Sequence, residues 1–138
     1  MRPEAWLGRT VEVLVEVPAG GRVKRRADGR ADVVSPVGVP WNYGSVPGER
    51  SGDGDLLDAL LLGPRREVGT RVTGRVVGVV DFQDAGLDDP KLVVGTPGPR
   101  TRLGIRLFFA LYPWPKRLLH AVRGEHGVTR TRAIHWLA

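Results

Sequence analysis

The chain contains no cysteine, one methionine, three serines and three lysines in 138 residues. Without cysteine there can be no disulfide and no thiolate metal site. The three histidines, His120, His126 and His135, lack the tight spacing of a metal-ligand set, so any metal chemistry has to use oxygen ligands. Long apolar runs are missing too. The best candidate, LLDALLL, is cut by Asp58 and stopped by Gly63, well short of the roughly 20 residues a spanning helix needs. The N-terminus, MRPEAWLGRTVEV, has neither the continuous apolar core nor the small-residue cleavage site of a secretory leader, and a cytoplasmic location is expected. Ser35, Ser45 and Ser51 fall in no G-x-S-x-G nucleophile turn, and no G-x-x-x-x-G-K-[ST] phosphate loop exists.

What the chain has in excess is arginine. Lys and Arg number 21 against 15 Asp and Glu, a formal charge of +6 that admits phosphate-bearing partners. The arginines are spread from Arg2 to Arg132 without a solid basic block or the interleaved aromatics that stack on bases, which argues for diffuse solvated charge and against nucleic acid. A hydrophobic fraction of 41% with 26% charged residues is ordinary for one globular domain, taken as residues 1–138.

Strand signals dominate. In TVEVLVEVP, residues 10–18, Val13, Val15 and Val17 alternate with Glu12, Leu14 and Glu16, and Pro18 ends the run. A stretch dense in Gly and Pro follows, then two β-branched runs at 71–82 and 91–95. Residues 101–112, TRLGIRLFFALY, are predicted helical, with Leu103, Leu107, Ala110 and Leu111 at helical spacing until Pro113 and Pro115. A second short helix is expected in PKRLLHAVRG. Many short strands followed by one or two helices predict a mainly β fold, a small barrel with C-terminal helices packed on it.

Against the basic background stand two acidic clusters. SGDGDLLDALLL holds Asp53, Asp55 and Asp58; in an extended segment the first two share a face, with Asp58 returning from the following turn. Carboxylates held that close repel unless a cation lies between them, and magnesium suits oxygen ligands. An acid-rich Asp-Gly turn is the plainer alternative for this cluster alone. An EF-hand starting at Asp53 fails, because Leu57 and Pro64 occupy its fifth and twelfth positions. The second cluster, DFQDAGLDDPK, carries Asp81, Asp84, Asp88 and Asp89 ahead of Lys91, and two such clusters facing each other can hold several metals.

The segments VEVP with Lys24 eight residues after Glu16, PWNYG, DGDLLDALLL, VGTRVTGRVVGVVDFQDAGLDDPKLVV and LFFALY stand in one order and spacing. Together they resemble the family I (soluble) inorganic pyrophosphatases over residues 11–112. The resemblance implies a closed, OB-like Greek-key β-barrel and Mg2+-dependent hydrolysis of inorganic pyrophosphate. It implies metal ligation by Glu16, Asp53, Asp58, Asp84 and Asp89, and makes Asp55 the residue that orients and deprotonates the attacking water. Lys24, Tyr43, Lys91 and Tyr112 become the phosphate-holding residues. By resemblance, too, a homo-oligomer is expected, a hexamer in many bacterial members.

Several positions depart from the family pattern, as in a divergent and shortened member. Arg25-Arg26 stands for a Tyr-Glu pair, Ala31 for an arginine, Val39 for a tyrosine, Leu56 for proline, Ala85 for an acid and Pro113 for a lysine. The expected metal carboxylates are all present, whereas several phosphate-holding groups are not. Two expectations follow: a pyrophosphate hydrolase whose lost groups are replaced by Arg25, Arg26 or Lys116, or retuned to another phosphoanhydride; alternatively a pyrophosphatase-like protein that binds metal, phosphate or a partner with little catalysis.

Overall fold

The alternation read in residues 10–17 becomes one wall of a barrel. The computed structural model describes residues 2–20, 23–25, 31–34, 40–52, 54–84, 86–111 and 130–138, with backbone alone at 23–25, 31–34, 84 and 111. After a 3-10 turn at Pro3–Trp6, the strands are β1 (Thr10–Val17), β2 (Val23–Arg25), β3 (Ala31–Val34), β4 (Asn42–Arg50), β5 (Leu56–Leu61), β6 (Arg71–Asp84), β7 (Leu87–Asp88), β8 (Lys91–Val94) and, after helix α1 (Thr101–Leu111), β9 (Arg130–Trp136). Pairing runs β1–β4–β5–β8–β6 and returns from β6 to β1, which closes five strands into a ring. Only the β5–β8 junction in that ring is parallel. Strands β2 and β3 form a separate antiparallel pair.

Closure brings backbones very near each other at β1 and β4. A Cβ on Gly44 would sit 1.9 Å from the Leu14 carbonyl oxygen, so only glycine lets these strands pair there. Inside the ring, Val13, Val15, Leu57, Ala59, Leu61, Val79, Leu92 and Val94 form one core, plugged by Trp6. Outside it, Leu60, Leu62, Val80, Phe82 and Val93 form a second core under α1. β5 and β8 are therefore buried on both faces, which is why LLDALLL and KLVV read as near-continuous apolar runs.

The helix forms where the spacing predicts it, and the face it buries is that of Ile105 and Phe109 rather than that of Leu103 and Leu107. Ile105 and Phe109 are fully covered, with Phe109 set edge-on against Phe82 and Phe108 against Trp41, while Leu103 and Leu107 are 57% and 56% exposed. Aromatic bulk decides the orientation, since two phenylalanines bury more area against the barrel than the leucines do. Strand β9, which pairs with the far side of β6, has no counterpart in the expectation of strands followed by helices. The second predicted helix lies outside the described residues, as do Lys116 and Pro113. No helix among the described residues is long and apolar enough to cross a membrane.

Candidate functional site

Strand β5 is apolar on both faces except at one point. Asp58 shares its face with Leu60 and Leu62 and is only 8% exposed. The parallel register sets Asp58 beside Lys91, the first residue of β8. Lys91, 1% exposed, places its Nζ 2.7 Å from Asp58 Oδ2 and 2.5 Å from Asp89 Oδ2. The ammonium also lies 5.4 Å from the centre of the Phe82 ring. Asp89 is held at that point by its own backbone, whose N–H donates to the Phe82 carbonyl at 2.9 Å.

Three ionisable groups so deeply buried are costly to desolvate, and the low dielectric makes each depend on the others. The described ion pairs set one ammonium between two carboxylates, a cluster of hard oxygen donors. The donors are hard carboxylate oxygens that already converge on one cation, so they fit magnesium. Among the described residues, no three carboxylate or imidazole side chains are gathered as a finished metal cage.

The other sequence-selected residues distribute around this cluster. Glu16 is half-buried at a bulge in β1, between Val15 and Val17, whose partners on β4 are Gly44 and Tyr43. Tyr43, also half-buried, lies on β4 against the outer core. Asp55 is exposed in the β4–β5 connection. This connection is a turn, not the extended segment expected: Gly54 has φ +87°, its N–H donates to Ser51 O, and Ser51 N–H donates to Asp55 O. Asp58 likewise sits within β5 and does not return from a turn. Asp84 ends β6 and Lys24 lies in β2, with backbone alone described for both, while Asp53 and Tyr112 fall outside the described residues. Of the departures, Arg25 and Ala31 lie in β2 and β3, whereas Arg26, Val39 and Ala85 are outside the described residues.

Three contributors were missed by motif reading. Asn42 is fully buried and uses its whole amide: Oδ1 accepts from Ala19 N–H and Arg66 N–H, and Nδ2 donates to the carbonyls of Leu61 and Pro64. It ties three chain segments together one residue before Tyr43, where the sequence suggests only a turn. Ser45, buried on β4 opposite Asp58, has a hydroxyl with no hydrogen-bond partner among the described residues. Arg132 of β9 meets Asp81 and Asp88, and the hydrogen bond to Asp81 holds its guanidinium above the ordinary pKa, against an opposing cost of burial and with Asp88 adding to the rise. The first two lie on β4, NYGSVPGER, whose mixed polar composition singles out neither. Nothing in the sequence marks the third.

Comparison with known proteins gives this geometry its context. Residues 13–99 match the family model of inorganic pyrophosphatase. An inorganic pyrophosphatase of Gluconobacter oxydans is 30% identical over 99 residues, covering 66% of this chain and 57% of the relative. One from Agrobacterium fabrum is 35% identical over 99 residues, covering 65% and 55%. The chain thus spans little more than half the length of these curated relatives. Among solved structures, the inorganic pyrophosphatase of Neisseria gonorrhoeae superposes with a TM-score of 0.69 at 24% identity, over 94% of this chain and 83% of that one. That of Thermus thermophilus gives 0.69 at 24%, over 92% and 82%. At such identities the structural likeness speaks for the fold: a mainly β, closed five-stranded mixed barrel with a C-terminal helix. The family match spans Glu16, Tyr43, Asp58, Asp89 and Lys91, and by it the chain belongs to the family I inorganic pyrophosphatases.

Proposed function

We propose that this chain hydrolyses inorganic pyrophosphate to two phosphates, with magnesium held by Asp58 and Asp89 together with Asp53, Asp84 and Glu16. The observation that carries the reading is the buried meeting of Asp58, Asp89 and Lys91. Magnesium bound there supplies a nucleophile at neutral pH and neutralises charge on the leaving phosphate. The chain's own part is to aim donors and acceptors. Asp55, on the exposed turn, accepts the proton of the attacking water. Lys91, whose ammonium lies between Asp58 and Asp89, would donate to a phosphate oxygen beside those carboxylates. Tyr43, Lys24 and Tyr112 donate to the remaining phosphate oxygens. A compact ammonium suits a crowded metal-phosphate site better than a planar guanidinium, which is a reason for lysine at 24 and 91 in a chain that otherwise uses arginine. Self-association, in the cytoplasm, belongs to the same reading.

The test is phosphate release from pyrophosphate by the purified protein with and without magnesium. Magnesium-dependent release that Asp55→Asn lowers by about a hundredfold or more is expected, the range of a lost general base. Calorimetric magnesium affinity should stay nearly unchanged in that variant. An equal rate in Asp55→Asn would sink the general-base role, and no release in the native protein would sink the hydrolase reading itself.

A further inference from the structure

The segment 81–89 carries Asp81, Asp84, Asp88 and Asp89, four like charges on one short reversal of the chain. The structure divides them. Asp89 turns to Lys91, while Asp81 and Asp88 both turn to Arg132: its Nη2 stands 2.9 Å from Asp81 Oδ1 and 2.6 Å from Asp88 Oδ1, and its Nε 3.3 Å from Asp81 Oδ1. The backbone explains how an arginine 44 residues from Asp88 reaches it. Along the β6–β9 pair, Asp81 faces Ala133 and Phe82 faces Thr131, so Arg132 is the extra residue of a β-bulge. A bulge re-aims the side chain it carries, here across the end of β6 toward β7.

Arg132 consequently joins β6 to the residue immediately before Asp89, at the place where the Asp89 N–H bonds Phe82 O. We propose that Arg132 is a positioning residue for the candidate metal carboxylates: by holding Asp81 and Asp88 aside, it fixes the strand that delivers Asp89 to the cation site. The magnesium part rests on the function proposed above; the positioning part is a property of the metal-free protein.

Charge and positioning push in opposite directions, which makes the idea testable. As a bare positive charge near the site, Arg132 opposes cation binding, and its removal would tighten magnesium. As a positioning residue, its loss loosens the ligand set, and outer-shell partners of metal ligands are worth about 10- to 100-fold in affinity. The experiment compares the native protein, Arg132→Met and Arg132→Lys by magnesium titration in a calorimeter and by amide hydrogen exchange at Asp89 without metal, referenced to the barrel amide of Val79. The expected result is about tenfold weaker magnesium binding in Arg132→Met, faster exchange at Asp89 than at Val79, and partial recovery in Arg132→Lys. Unchanged exchange at Asp89, or magnesium binding in Arg132→Met as tight as native or tighter, overturns the proposal. Should the native protein take up no magnesium, the cation reading fails, and exchange at Asp89 alone decides the positioning role.

Discussion

At the scale of single residues, burial separates the groups that matter from those that decorate. Glu12 and Arg71 form a 2.7 Å ion pair between β1 and β6, but both are exposed, and such pairs contribute little. Lys91 is different, because water cannot replace it between Asp58 and Asp89. Lys91→Met should destabilise the fold by about 3–5 kcal/mol, since it leaves two carboxylates buried without their cation. Urea unfolding checks this, and a loss below about 1 kcal/mol would mean that water reaches the cluster. The lysine and both aspartates were legible in the sequence by their pattern. Their mutual contact was not, because it depends on a parallel register between strands far apart in the chain.

At the scale of elements, period and composition predicted strands β1, β6 and β8 and helix α1 close to their observed limits. The same signals did not decide which face of α1 is covered. Leucines at 103 and 107 have helical spacing, yet Ile105, Phe108 and Phe109 have it too, and shape complementarity to Trp41 and Phe82 chose between the two stripes. Phe109→Ala is expected to cost about 3–5 kcal/mol and Ile105→Ala about 2–5, whereas Leu103→Ala and Leu107→Ala should stay within about 0.5. Thermal unfolding of the four variants decides it, and equal losses at 103 and 109 would reverse the orientation described. At 51–55 the Asp-Gly turn, one of the two readings open in the sequence, is the one observed, and Gly54 adopts the left-handed backbone it needs.

At the scale of the whole molecule, ring closure makes the site and the core one cooperative unit. Strands β1, β4, β5, β6 and β8, which bear Glu16, Tyr43, Asp58, Asp84 and Lys91, also line the apolar interior. The approach of β1 to β4 at Gly44 is the tightest point of that ring, so Gly44→Ala should destabilise by at least about 3 kcal/mol, as overpacking against backbone with little room to yield. Calorimetric unfolding reads the loss; a cost below about 1 kcal/mol would mean that the strands part there without strain.

The sequence alone determined the kinds of chemistry open to this protein. Lacking cysteine and close-set histidines, it left only oxygen ligands for a metal, and its two acidic clusters with Lys24 and Lys91 carried the resemblance that the family match bears out. Local spacing reaches that far because residue type and strand period are properties of a few neighbours. Tertiary structure decided which acids meet. Asp58 and Asp89 share Lys91, Asp81 and Asp88 share Arg132, and Asn42 ties together loops distant in the chain. Those choices follow from strand register, a bulge in β9 and the closure of the barrel. They are long-range consequences of burying two apolar faces at once, which no local pattern records.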